Sequence, residues 1–147
     1  SEYLVNILNI NNSSTPFFDL EIEYKLHQIT LKLINENLVK SAHDISEGGL
    51  FASLIESMIP GKFGCEIYTD PNFRQDAYLF GESQSRILVS LEKKKEKQFI
   101  NLLRKNKFPY YKLGQVSLDK ILIDDVDFGN IQKLESIYSS SLEKHLA

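Results

Sequence analysis

Apolar side chains repeat along the chain at two spacings, one typical of helices and the other of strands. In residues 20–37 the apolar positions recur every three or four residues, at Ile22, Leu26, Ile29, Leu33 and, beside them, Ile34. This stripe predicts a helix with one buried face, and Asp19 is placed to cap its start. The same spacing predicts helices over 47–58 and 92–107 and a last helix capped by Asn130.

Short apolar runs between the helical segments predict strands over residues 38–42, 64–68, 87–91, 110–116 and 121–123. The run at 87–91 is continuous, which is typical of a strand buried in a sheet. Because helices alternate with strands, the expected fold class is α/β, a three-layer sandwich with a mixed β-sheet flanked by helices.

The first 18 residues have a different pattern from the rest of the chain. A short apolar stretch is followed by a polar tract that ends at Pro16. We interpret residues 1–18 as a strand or turn followed by a linker, and residues 19–147 as the domain itself.

The composition is that of a globular protein. The chain has 147 residues, of which 42% are hydrophobic and 25% charged, and a formal net charge of −3. These values argue against disorder and against binding to nucleic acid. The densest group of lysines, at 93–97, is interleaved with Glu92 and Glu96, which indicates a solvated helix face. No run of about 18 apolar residues is present, so no membrane span is expected.

Cys65 is the single cysteine. An internal disulfide and a thiol-based metal cluster are therefore excluded, and a reducing, cytoplasmic compartment is expected. The chain begins at Ser1 without an initiating Met, which suggests a fragment of a larger protein.

The first polar cluster, SAHDISEGGL at residues 41–50, lies between a predicted strand and a predicted helix. Gly48 and Gly49 leave main-chain N–H groups of a helix start accessible to an anion, and Ser46 is a candidate N-cap. Asp44 has two possible roles, to hold a cation or to orient His43. The alternative is that this cluster only caps the helix and turns the chain. No second ligand at a recognisable spacing supports a metal site.

The second polar cluster, GESQSR, comes directly before the strand predicted at 87–91. It combines a permissive glycine, hydroxyl and amide groups, a carboxylate and a guanidinium, in Gly81, Glu82, Ser83, Gln84 and Arg86. These groups suit a phosphate or carboxylate ligand. The alternative is that Glu82 and Arg86 pair with each other or with neighbours and fix the loop.

The two clusters, read as HDISEGGL and then LFGESQSRILVS, resemble the C-terminal region of phosphoribosylformylglycinamidine synthase, as does the preceding segment FFDLEIEYKLHQITLKLINENLVKSAHD. The resemblance covers the chain from about Phe17 onward. It implies the fold of an aminoimidazole ribonucleotide synthetase C-terminal domain. It also implies part of an ATP-dependent ligase of purine biosynthesis, which converts formylglycinamide ribonucleotide and glutamine-derived ammonia to formylglycinamidine ribonucleotide.

The resemblance also implies which functional groups belong to this domain and which belong to the rest of the enzyme. ATP and Mg²⁺ are expected in the full enzyme and not on this domain alone, and neither a catalytic residue nor a metal ligand is expected in this chain. Substrate or phosphate binding is expected at the nine positions Asp44, Ser46, Gly48, Gly49, Gly81, Glu82, Ser83, Gln84 and Arg86. The HDIS form resembles the last such domain of the long enzymes, whose nucleotide site is auxiliary.

The expected partners are the upstream ATP-binding domain of the same enzyme, a glutaminase domain or subunit, and the nucleotide substrate. Two other functions stay open on the residues alone. One is a related ATP-dependent synthetase of the aminoimidazole ribonucleotide type, and the other is a non-catalytic binding or interface module.

Overall fold

The computed structural model describes residues 1–146, apart from the side chains of residues 142–145. The helices are α1 (Leu20–Asn35), α2 (Gly49–Met58), α3 (Gln75–Phe80), α4 (Glu96–Lys105) and α5 (Ile131–Leu146). The strands are β1 (Ser41–Asp44), β2 (Gly64–Ile67), β3 (Ile87–Ser90), β4 (Gly114–Ser117), β5 (Lys120–Ile123) and β6 (Val126–Asn130). Short helical turns occur at Tyr3–Ile7, Ile59–Gly61 and Lys93–Lys95.

The chain forms two compact units. The first comprises Ser1–Ser53 and Phe80–Tyr111 and contains a two-stranded sheet in which β1 and β3 are antiparallel. Its core consists of apolar residues from α1, α4 and the segment between α1 and β1: Ile29, Leu33, Leu38, Phe99, Leu102 and Leu103. Residues 1–18 belong to this unit.

Helix α1 buries the face that its periodicity predicts, but not along its whole length. Leu26, Ile29 and Leu33 are buried, and the Asp19 carboxylate accepts hydrogen bonds from the N–H groups of the first turn. Ile22 and Ile34, which the pattern assigned to the same stripe, are 44% and 47% exposed. The predicted helix and its cap are confirmed, while the burial of these two side chains is not.

The second unit comprises Leu54–Leu79 and the segment from Lys112 onward. Its four strands lie in the order β4-β2-β5-β6, with β2 parallel to β5 and the other pairs antiparallel. This sheet is mixed, as predicted, and the α/β fold class is confirmed. Ile121, Ile123 and Ile131 are fully buried here.

Three elements differ from their predictions. Tyr3–Ile7 is a short π-helix where a strand or turn was expected. Helix α3 directly precedes Gly81, where the short apolar segment at residues 77–80 by itself predicts only a turn. Strand β6 follows a turn in which Asp124 and Asp125 both have positive φ, and this hairpin was not predicted. Asn130 caps α5 as expected, its side chain accepting from the Lys133 N–H at 3.0 Å.

Candidate functional site

The pairing of β1 with β3 brings the two polar clusters together. The strands run antiparallel with Asp44 opposite Ile87, and one more bond, from the Ile45 N–H to the Arg86 carbonyl, extends the ladder. The cluster that follows β1 and the cluster that precedes β3 therefore meet at the same end of this sheet.

The glycine pair forms a sharp entry to α2. Gly48 and Gly49 have φ values of +77° and +67°, a conformation that favours glycine. A Cβ on Gly48 would lie 2.7 Å from the Cβ of Ala52. The helix begins at Gly49 and not at residue 47, so the prediction of Ser46 as N-cap is wrong. The Ser46 carbonyl accepts a hydrogen bond from the Gly49 N–H at 3.0 Å and closes the turn.

Glu82 joins the two clusters directly. Its Oε1 accepts a hydrogen bond from the Gly48 N–H at 3.2 Å and another from the Glu2 N–H at 2.8 Å. The main-chain N–H that the sequence offers to an anion is therefore bonded to a carboxylate of the chain itself. These two bonds tie the loop to the N-terminal segment and to the start of α2, and binding of a ligand by Glu82 stays a prediction.

Arg86 shapes the second cluster from within. Its Nε donates to the Ser83 carbonyl at 3.1 Å, and its Nη2 donates to the Gly81 carbonyl. Ser85 has a φ of +61°, and its hydroxyl donates to the Glu23 carboxylate of α1 at 2.5 Å. The loop thus curls around the guanidinium and is tied to α1. Binding of a ligand by Arg86 stays a prediction.

Four of the predicted binding residues have exposed polar side chains: Asp44, Ser46, Ser83 and Gln84. The hydroxyl groups of Ser46 and Ser83 and the amide of Gln84 can donate to phosphate oxygens. The same groups can donate to ribose hydroxyls or accept from them. His43 is half-buried, and its Nδ1–H donates to the Asp44 carbonyl at 2.6 Å. Since a carbonyl only accepts, this bond places a proton on Nδ1.

Sequence reasoning missed Ser53, a fully buried polar residue on α2. Its hydroxyl lies 3.0 Å from the Asp44 carbonyl and 3.1 Å from the Gly49 carbonyl. It therefore ties the end of β1 to the first turn of α2, behind the glycine pair. The available signal was a small polar residue four positions after Gly49 on the apolar face of the predicted helix.

The described residues do not provide a metal site of their own. They contain no group of three His, Cys, Asp or Glu side chains placed to hold an ion. Nor does any helix among them have the length and apolar character needed to cross a membrane. In the second unit, burial raises the pKa of the Cys65 thiol to about 11, as expected of a small buried side chain and not of a reactive nucleophile.

The fold and the clusters define a class of protein. The family model for "AIR synthase related protein, C-terminal domain" matches residues 6–125, a segment that contains both polar clusters. The chain belongs to this family, and the family predicted from the motifs is confirmed.

Curated relatives carry a more particular name, phosphoribosylformylglycinamidine synthase subunit PurL. The protein from Caldanaerobacter subterraneus is 41% identical over 124 residues, which are 84% of this chain and 17% of the relative. That from Alkaliphilus metalliredigens is 33% identical over 147 aligned positions, covering 97% of this chain and 20% of the relative. The chain spans about a fifth of the length of these relatives.

Solved structures share the fold. Thermotoga maritima PurL complexed with FGAR superposes with a TM-score of 0.68 at 21% identity, over 84% of this chain and 23% of that one. A thiamine-monophosphate kinase from Stenotrophomonas maltophilia reaches a TM-score of 0.56 at 15% identity, over 82% of this chain and 45% of that one. The fold therefore extends beyond one activity.

Proposed function

We propose that this chain is the C-terminal AIR-synthase-like domain of a phosphoribosylformylglycinamidine synthase subunit. The observation that carries the proposal is the 41% identity to a relative of that name over 84% of the chain. The shared activity would be ATP-dependent conversion of formylglycinamide ribonucleotide and glutamine-derived ammonia to formylglycinamidine ribonucleotide. In this proposal the enzyme is cytoplasmic, and the domain works beside an upstream ATP-binding domain and a glutaminase subunit.

The exposed polar groups of the two clusters support a role in substrate binding. Ser46, Ser83 and Gln84 present exposed donors at one end of the β1–β3 sheet, and Asp44 adds an acceptor. These groups would hold the phosphate and hydroxyl groups of the nucleotide substrate. Gly48, Gly49, Gly81, Glu82 and Arg86 would shape the loops that present them.

ATP and Mg²⁺ belong, in this proposal, to the rest of the enzyme. Mg²⁺ would offset the charge of the phosphates as the phosphoryl group moves. The described residues contain no group of three His, Cys, Asp or Glu side chains placed to hold an ion.

A chimera tests the proposed function. This chain would replace the matching segment of the Caldanaerobacter relative, and the chimera would be expressed in a purine auxotroph that lacks the synthase. We expect growth without purine and ATP-dependent amidine formation from formylglycinamide ribonucleotide and ammonia in vitro. A folded chimera that restores neither would contradict the proposal.

Substitutions within the chimera test the site. Ser83→Ala and Gln84→Ala each remove a donor and should raise KM for formylglycinamide ribonucleotide about tenfold, the loss expected for one hydrogen bond to a charged group. Ser13→Ala, in the exposed polar tract, serves as the control. Unchanged KM in both site variants would remove these residues from the substrate site.

A further inference from the structure

We propose that residues 1–7 form a strap that fixes the Gly81–Arg86 loop against the glycine pair, with Glu82 as the positioning residue through which the strap acts. The strap itself is inferred from contacts within the first unit. Its effect on substrate binding rests on the proposed function.

The polar part of the strap is one carboxylate oxygen shared by two main-chain donors. Glu82 Oε1 lies 2.8 Å from the Glu2 nitrogen and 3.2 Å from the Gly48 nitrogen. The N-terminal segment, the second cluster and the entry to α2 therefore meet at a single atom. Hydrogen bonds to a charged acceptor are stronger than neutral ones, so this junction resists opening.

An aromatic stack makes a second link among the same three elements. The Tyr3 ring lies parallel to the Phe80 ring, with centroids 4.9 Å apart and planes 13° apart. Phe80 in turn contacts Phe51 of α2, with centroids at 5.5 Å. Phe80 directly precedes the loop and Phe51 is the third residue of α2, so the aromatic contacts and the carboxylate link the same three segments.

The local fold of the N-terminal segment explains why its N–H is available to Glu82. Residues Tyr3–Ile7 form a π-helix preceded by Glu2, whose φ is −53°. The first N–H groups of a helix have no acceptor within the helix, so Glu82 supplies one. The Glu2 side chain meanwhile accepts from the Asn6 amide and closes the turn.

This arrangement assigns Glu82 a role different from that of its neighbours. Ser83 and Gln84 are exposed, while Glu82 is partly buried and points its carboxylate at backbone amides. Glu82 sets where the next two side chains lie, and the strap sets where Glu82 lies.

Proline and alanine at position 2 separate the contribution of the Glu2 main-chain N–H from that of the Glu2 side chain. Glu2→Pro deletes the N–H donor at a φ that proline adopts, whereas Glu2→Ala keeps the donor and removes only the side chain. In the full 147-residue chain we expect chymotryptic cleavage after Tyr3, measured relative to the free peptide of the same sequence, to become about fivefold faster in Glu2→Pro and Glu82→Ala, and less than about twofold faster in Glu2→Ala. Exchange of the Gly48 amide, followed by NMR, should accelerate about fivefold in Glu82→Ala.

Two further results keep the proposal falsifiable. Glu82→Gln retains an acceptor oxygen and should restore most of the protection, which separates loss of the contact from misfolding of Glu82→Ala. In the chimera, Glu82→Ala should raise KM for formylglycinamide ribonucleotide with little change in kcat. Equal cleavage of Glu2→Pro and Glu2→Ala would overturn the strap. An unchanged KM with a loosened strap would instead count against the proposed substrate site.

Discussion

At the scale of single residues, the entry to α2 depends on side chains that are small for different reasons. Gly48 needs both a positive φ and the space that a Cβ would take from Ala52. Ser53, also small, fills a fully buried position and supplies a hydroxyl to the carbonyls around the glycine pair. The exposed candidate binding residues therefore lie next to tightly packed positions, Gly48 and Ser53, that tolerate little added volume.

Gly48→Ala should destabilise the chain more than Gly129→Ala. Both glycines have positive φ, +77° and +99°, but a Cβ on Gly129 would meet only the Lys133 Cδ, at 4.0 Å. The strained backbone is common to both variants, so the excess loss in Gly48→Ala, about 1 kcal/mol or more, reports the contact with Ala52. Urea unfolding measures the two losses. Equal losses would mean that α2 shifts to accept the methyl group.

At the scale of elements, two glycines of the second unit lie where the main chain of a neighbouring strand leaves no room for a Cβ. Gly114 of β4 is paired with Ile67 of β2, and a Cβ at Gly114 would lie 1.9 Å from the Glu66 carbonyl oxygen. Gly64 of β2 meets the main chain of Lys120 in the same way, at 2.1 Å. Backbone cannot move aside as a flexible side chain can, so these positions fix the sheet.

Gly114→Ala should therefore separate β4 from β2. We expect a loss of about 3 kcal/mol or more in the free energy of unfolding, at the upper end of overpacking effects. Val116→Ala, on the same strand and at a side chain 58% exposed, should change stability by about 0.5 kcal/mol or less, apart from strand propensity. Urea denaturation of the two variants makes the comparison. Similar stabilities would contradict the close approach of the strands.

Elements with a strong periodic signal were predictable from sequence, and those formed by turn geometry were not. The spacing in α1 and the run in β3 gave both elements within a few residues. Strand β6 is five residues long, and its alternation is limited to the two apolar residues Val126 and Phe128 on either side of Asp127. It forms because Asp124 and Asp125 adopt the left-handed turn that usually calls for Asn-Gly, so the hairpin signal was weak. The residue types of the two clusters were enough to predict a polar site. The contact between Glu2 and Glu82 joins residues 80 positions apart and could not be predicted from a local pattern.

At the scale of the whole molecule, acid should weaken the fold partly through one partly exposed carboxylate. Lys40 and Lys94 each place an ammonium group 2.7 Å from a different oxygen of Glu92. Hydrogen bonding to Lys40 and then to Lys94 lowers the pKa of Glu92 from its ordinary 4.5 to about 2. A lowered folded-state pKa gives stability that is present above the ordinary value and is lost as pH falls through the folded one.

The urea midpoint of the chain should accordingly fall between pH 4.5 and pH 2 more steeply than that of Glu92→Gln. Other carboxylates contribute to the decline in both proteins, so the difference between the curves isolates Glu92. About 1 M salt, which shortens the screening length to about 3 Å, should reduce that difference. Parallel curves at low salt would show that the two lysines do not hold the carboxylate in solution.

The antiparallel register of β1 and β3 has a consequence for recognising this site in other chains. The segment between the two clusters runs largely through the second unit, while the clusters themselves are aligned by the pairing of Asp44 with Ile87. A change in the length of the loops that join α2, β2 and α3 would leave this alignment in place, but loss of one residue next to β1 or β3 would turn its side chains to the opposite face. A sequence pattern for this site should allow a variable number of residues between the two polar clusters and keep the spacing within each cluster fixed.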